Sequence, residues 1–284
     1  MMRCNAPFMC ALKHSLFLAT LVLFLRIASG DEQKLSATPG APPVYGVDVS
    51  FPAQNAHVTD FPRPFGNDRI EFYNKFLQGC REYYKDRSKL CDESELSRLN
   101  LNRQQPPVMQ NYTSAGYAKV QLPSQITKRL VDFWERNQGA EETEQWPAGN
   151  TYVNHWDSPT YMLSLSNEKL KGGGKVLQRS ILESVQSTLE AWTGQSLVFT
   201  SLYGIRVYKE GAVLSAHIDR LPLVTSCIVN VAQDVDEPWA LEVIGHDGKA
   251  TNVTLEPGEM ILYESQSVLH GRPFPLKGRY YANV

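Results

Sequence analysis

No stretch of this chain stays apolar for long enough to cross a bilayer. The longest candidate, between Lys13 and Arg26, holds twelve residues, and a helical span needs about twenty. A surplus of positive charge is also missing. The chain has 28 Lys+Arg against 30 Asp+Glu, a formal charge of −2, so no electrostatic footprint argues for nucleic acid. A phosphate-cradling loop is absent as well. Gly172-Gly173-Gly174 lacks the spacing, the Lys-Ser/Thr and the preceding strand of such a motif. No retrieval signal is visible at the C-terminus either. What the chain does have is 42% apolar residues over 284 positions, enough for one large domain with a sizeable core and an N-terminal extension.

The first thirty residues read as a cleaved signal peptide. Arg3 and Lys13 give a positive start, Leu16 to Leu25 an apolar centre, and Ala28-Ser29-Gly30 a small-residue cleavage site. Their removal takes away three cations and no acids, moving the charge from −2 to −5. The localisation implied is the secretory pathway, either endoplasmic reticulum lumen or secreted, with no stable membrane span after cleavage. Five cysteines are present, and Cys4 and Cys10 leave with the signal. In an oxidising compartment Cys80 and Cys91 are positioned to staple a local loop. Cys227, in Thr225-Ser226-Cys227-Ile228-Val229-Asn230, reads as a buried strand thiol. Asn111-Tyr112-Thr113 and Asn252-Val253-Thr254 are glycosylation sequons.

Residues 31–44, with Pro39-Gly40-Ala41-Pro42-Pro43, read as a flexible linker. Ile70, Tyr73, Phe76, Leu77, Cys80 and Tyr84 recur at helical spacing, and a second helix starts near Cys91 and ends before Pro106-Pro107. We read 45–110 as a mainly helical, cysteine-bearing extension with a packing role. A strand at Tyr117–Leu122 opens the domain at 111–284. A helix follows from Ser124, with Ile126, Leu130, Phe133 and Trp134 on one side. Another runs from Lys175 to Trp192 on Val176, Ile181, Leu182, Val185, Leu189 and Trp192, closed by Gly194. Short strands separated by turns then span 197–209, 213–218, 224–231, 239–245, 251–255, 260–264, 268–270 and 279–284. The class is α+β: a double-sheet jelly roll braced by helices.

The chemistry concentrates after Tyr203. His217 and Asp219 are spaced i, i+2, which points both side chains to one face of a strand. His270 offers a second imidazole, and Arg279 a cation nine residues later. Two imidazoles and a carboxylate form the facial triad of non-haem Fe(II) oxygenases; zinc suits the same donors. His155-Trp156-Asp157 repeats the His-x-Asp pattern, but no downstream His followed by a basic residue belongs to it alone, so it reads as a packed or loop histidine. His246, in Gly245-His246-Asp247-Gly248, reads as a surface turn. Arg272 is placed facing the substrate mouth.

The ordered set Tyr208, His217-Ile218-Asp219, His270 and Arg279 resembles the prolyl 4-hydroxylase-like branch of the 2-oxoglutarate- and Fe(II)-dependent dioxygenases, over about residues 200–284, the catalytic core being about 197–284. The resemblance implies a double-stranded β-helix, with Fe(II) on His217, Asp219 and His270. It also implies a 2-oxoglutarate C5 carboxylate held by Arg279 and Tyr208, with O2 and ascorbate as further requirements. Two departures stand out. Members usually carry Lys one position after Arg279, and many have Gly-Gly-x-Thr-x-Phe where this chain has Glu237-Pro238-Trp239-Ala240-Leu241-Glu242-Val243. The family also continues a few residues past Asn283-Val284, which leaves the completeness of the C-terminal end open. The function implied is hydroxylation of peptidyl proline, with a proline-rich peptide or protein as partner and release of succinate and CO2. The alternatives are a catalytically silent jelly-roll binding module, or a dioxygenase acting on peptidyl lysine or a small molecule.

Overall fold

The computed structural model describes residues 68–284. The signal peptide, the 31–44 linker, Cys4, Cys10 and the start of the extension lie outside them. Helix α1 (Asp68–Tyr84) and helix α2 (Lys89–Gln104) form a hairpin through a short 3-10 turn and are joined by the Cys80–Cys91 disulfide. The α1 stripe Tyr73, Phe76 and Leu77 is buried against Val213 and Trp156. A 3-10 turn at Pro106–Val108 ends this region, where successive prolines remove the donors a helix would need.

Strand β1 (Tyr117–Gln121) leads into helix α3 (Ser124–Asn137). Two short strands, β2 (Glu142–Thr143) and β3 (Tyr161–Ser164), precede helix α4 (Lys175–Thr193). Gly194 closes α4 with a φ of 68°, a left-handed cap that glycine adopts without steric cost. Eight strands follow: β4 (Gly204–Lys209), β5 (Leu214–His217), β6 (Ser226–Val235), β7 (Leu241–Ile244), β8 (Ala250–Val253), β9 (Glu259–Tyr263), β10 (Leu269–Arg272) and β11 (Gly278–Asn283).

These pair into two antiparallel sheets, ordered β1-β9-β6-β11-β4-β3-β2 and β5-β10-β7-β8. Apart from the consecutive pair β7 and β8, the chain crosses from one sheet to the other at every step from β4 to β11. That places four of the eight strands in each sheet, the double-stranded β-helix form of the jelly roll. The expected α+β class with a helix-braced jelly-roll core is the observed one.

Side-chain alternation explains the layering. On β6 and β9, Val229, Val231, Met260 and Leu262 join Leu130, Phe133, Trp134, Leu177, Ile181 and Leu189 in the helix-covered core. Their neighbours Ile228, Ile261 and Tyr263 turn the other way, onto Leu241, Val243 and Val268 between the sheets. Period-2 alternation thus buries both faces of one sheet. Each fully buried Leu or Phe contributes about 1.5–3 kcal/mol.

Two sequence expectations are corrected here. The strand expected from 197 begins at Gly204. Residues 197–203 instead lie along α4, where Gln186 Nε2 donates to Leu197 O (2.8 Å) and Gln178 Nε2 to Leu202 O (2.7 Å). Side-chain amides satisfy that backbone, so no ladder forms. On α4, Leu177 rather than Val176 is buried, and Val176 is exposed. The inward stripe runs 177, 181, 185, 189, a strict i+4 series.

Candidate metal centre

His217 ends β5, and Asp219 follows it by two residues on the same face. His270 on β10 pairs directly opposite His217, with ring centroids 4.4 Å apart. Such closeness needs Gly271: a Cβ there would stand 2.7 Å from Ala216 Cα, inside contact distance. His217 Nε2 and His270 Nε2 each lie 3.9 Å from Asp219 Oδ1. One ligand atom from each residue falls within 4.8 Å of the others.

The surroundings fix how each group presents itself. His217 Nδ1 is 2.8 Å from Ser215 O and His270 Nδ1 is 2.9 Å from Val268 O. A carbonyl can only accept, so Nδ1 carries the proton in both rings and Nε2 offers its lone pair to the site. Burial, then the neighbouring His270, depresses the pKa of His217 to about 3 against the attraction of Asp219. Burial also lowers that of His270. Both rings are therefore neutral at pH 7, as a ligand requires. Ser226 Oγ donates to Asp219 Oδ2 (3.0 Å) and lies 2.9 Å from Ser265 Oγ. That leaves Oδ1 turned toward the histidines. Two neutral imidazoles and a one-oxygen carboxylate on one side, with a cavity on the other, fit a divalent metal that keeps open positions.

The cavity holds about 710 Å³ and also exposes Tyr208, Tyr263, Cys227 and Arg272 to the site. Burial pushes the Cys227 thiol up to about 12, so it is no nucleophile at neutral pH. Arg272 is 1% exposed. Its guanidinium is layered between Trp239 and Tyr281, 4.7 and 4.3 Å from the ring centroids. One of its nitrogens donates to Trp239 O. Its Nη2 and the Tyr281 hydroxyl are buried with no hydrogen-bond partner. A buried guanidinium nitrogen without a partner is costly unless something anionic completes it. Arg272 shares a strand face with His270 through the same i, i+2 spacing that joins His217 to Asp219.

Arg279 is not brought to this cavity. It is 57% exposed and pairs with Asp234 and Asp236, which raise its pKa. The reason is a bulge. Gly278 pairs with Val235 and Tyr280 with Asp234, so Arg279 is an extra residue that drops out of the alternation carrying Tyr281 inward. Gly278, at φ 135°, permits it. Tyr208 does line the cavity and is buried.

The second His-x-Asp does not join the site. His155 Nε2 meets Tyr84 Oη at 2.7 Å, with Trp156 edge-on. His246 departs from a surface turn: its side chain is 6% exposed, with Nδ1 2.9 Å from Thr113 O and Nε2 3.8 Å from Glu264. Asn111 and Asn252 are both exposed. Trp239 carries no signal along the chain beyond its departure from the family pattern, yet its ring and carbonyl hold Arg272.

No protein-family model matches the chain, and no curated protein does. Similar solved structures include a prolyl-4-hydroxylase from Pseudomonas putida, 14% identical, covering 60% of this chain and 90% of that chain, with a TM-score of 0.41. Another is a Trichoplax adhaerens prolyl hydroxylase bound to a hypoxia inducible factor peptide, 13% identical, covering 70% and 90%, TM-score 0.40. A third is the non-heme alpha ketoglutarate dependent epimerase SnoN from nogalamycin biosynthesis, 12% identical, covering 61% and 76%, TM-score 0.41.

Proposed function

We propose that this chain is a 2-oxoglutarate- and Fe(II)-dependent dioxygenase that hydroxylates peptidyl proline. The observation that carries the reading is the pairing, in one cavity, of the His217/Asp219/His270 triad with a buried guanidinium whose Nη2 lacks a partner. A dicarboxylic co-substrate needs both: a metal for its keto-acid end and a fixed cation for the other carboxylate. Arg272 takes the role that the family pattern gives to Arg279, with Tyr208 alongside in the same cavity. Fe(II), when bound, supplies the oxygen chemistry that an unactivated C–H requires, since no acid–base route reaches such a bond.

The chain's own residues do the rest. His217, Asp219 and His270 would hold the metal at the wall of the cavity. Arg272 orients the co-substrate, and Leu214 and Tyr263 wall the cavity beside the triad. In the overall balance 2-oxoglutarate and O2 convert R–H to R–OH with succinate and CO2. Two electrons come from the decarboxylation and two from the C–H bond. The cavity wall carries Val198, Phe199, Tyr203 and Val224 beside polar residues such as Gln195, Thr200 and Ser201, apolar surface against which a prolyl ring can pack. The signal-like N-terminus and the Cys80–Cys91 disulfide support a secretory-pathway setting, and exposed Asn111 and Asn252 are then open to glycosylation.

Succinate release by the purified chain, with Fe(II), ascorbate and 2-oxoglutarate and with or without a proline-rich peptide, tests this. Peptide-stimulated succinate with oxygen added to proline supports the full reading. Basal iron-dependent succinate without stimulation keeps the dioxygenase and removes proline as substrate. A folded, iron-loaded chain that releases none is a binding module instead.

A further inference from the structure

An edge strand presents a row of backbone groups that need partners, and β5, which carries His217, is an edge of the four-stranded sheet. Its Leu214–Ser215 end is bridged by residues 152–153, with Ser215 N–H donating to Tyr152 O (2.8 Å). Its other end is completed by Asn102 of α2 with one amide: its Nδ2 donates to Ala216 O (3.0 Å) and its Oδ1 accepts from Ile218 N–H (3.1 Å). Those two residues flank His217, so the amide pairs with β5 as the peptide of a neighbouring strand would. Arg98 Nη1 also donates to Ala216 O. Just past the strand, Gln105 Nε2 donates to Asp219 O (2.8 Å) and to Gln266 O (2.9 Å). Arg98 and Asn102 are fully buried.

Within α2 itself Arg98 is locked by Glu95, with Nε to Oε2 at 3.1 Å and Nη2 to Oε1 at 2.6 Å. Tyr73 of α1 donates to the same carboxylate at 2.8 Å. Burial works to raise the Glu95 carboxyl, but Arg98 and Tyr73 hold it below the usual range, so the pair is ionised and rigid. The buried polar residues of α2, Glu95, Arg98 and Asn102, thus face the backbone around His217, while Asp92, Glu93 and Arg103 stay exposed.

We propose that α2 is a positioning element for the metal centre, with Asn102 and Gln105 setting the backbone from which His217 and Asp219 project. The inference rests on the metal reading above. It differs from simple packing, because Asn102 holds the backbone on either side of His217 and Gln105 the carbonyl of Asp219, rather than filling a core. Outer partners of metal ligands typically change affinity by about 10–100-fold when removed.

The test is anaerobic Co(II) titration of the purified chain, followed by the visible d–d absorption of bound Co(II), on wild type, Gln105→Leu, Asn102→Ala and His217→Ala. Each metal-free protein is also melted. Gln105→Leu keeps side-chain volume at a half-buried helix end and loses only the two donated bonds, so it remains informative if Asn102→Ala fails to fold. A fall in Co(II) affinity of about 10-fold or more, with a changed absorption envelope, is expected for Gln105→Leu. Wild-type affinity and spectrum in Gln105→Leu, with only a lower metal-free Tm, would make α2 a plain brace and overturn the inference. A wild type that takes up no more Co(II) than His217→Ala would instead overturn the metal reading, and this inference with it.

Discussion

The loop between β10 and β11 is flanked by two arginines that sequence treats as near equals and the fold treats as opposites. Arg272 is 1% exposed, sandwiched by Trp239 and Tyr281 and still short of a partner. Arg279, seven residues on, stands in solvent between two aspartates that already neutralise it. The same division separates the two His-x-Asp stretches. His217 and Asp219 face a cavity, whereas His155 is taken up by Tyr84. Residue type gives a group its chemistry, but an unsatisfied, desolvated setting is what gives it a task.

The largest expected break in that symmetry is at the two histidines. His217→Ala should abolish metal-dependent succinate release and Co(II) uptake, while His155→Ala should retain both; anaerobic Co(II) titration and succinate assay decide. Next come the two ion pairs of the helical hairpin. Glu95→Ala removes the buried carboxylate bonded by Arg98 and Tyr73 and should cost about 3–5 kcal/mol. Asp92→Ala removes the exposed pair with Arg81 and should cost under about 1 kcal/mol, both read by urea unfolding. Arg272→Leu should raise the KM for 2-oxoglutarate by about 100-fold, the loss of roughly 3 kcal/mol of charge-assisted bonding. Equal KM effects from Arg272→Leu and Arg279→Leu would erase the contrast altogether.

A milder effect follows from pH. His217 is held at about 3 in the fold against an ordinary 6.5, so between those values the unfolded chain binds the extra proton. Its contribution to stability is present above pH 6.5 and is lost as pH falls toward 3. Metal-free wild type should therefore lose Tm over that window more steeply than His217→Ala. The smallest effect belongs to Arg279→Leu, whose stability should stay within about 0.5 kcal/mol of wild type, with turnover unchanged.

Much of the fold was legible because it follows periodicity. The stripe at Tyr73, Phe76, Leu77 and Cys80 sets α1, alternation sets β6 and β9, and Gly194 ends α4. The helix stripe slipped by one residue at Val176 and Leu177 because two adjacent aliphatics satisfy a helical period equally until a neighbour chooses. The stretch 197–203 reads as strand by composition, but the amides of Gln178 and Gln186 reach its carbonyls first.

By itself, then, the sequence determined the local elements and the three residues that the fold brings together as candidate ligands. His217-x-Asp219 share a face on any extended backbone, and His270 was the remaining imidazole on a strand with a basic residue beyond it. Tertiary structure decided which arginine enters the cavity, because a single extra residue at Arg279 in β11 turns that side chain outward, and no local propensity announces such a bulge. It also decided that α2, whose polar residues look like a solvated face, spends Arg98, Asn102 and Gln105 on the edge of β5. A hydrogen bond across more than a hundred residues has no signature along the chain. It exists only once an unpaired strand edge and an amide are folded to within reach of each other.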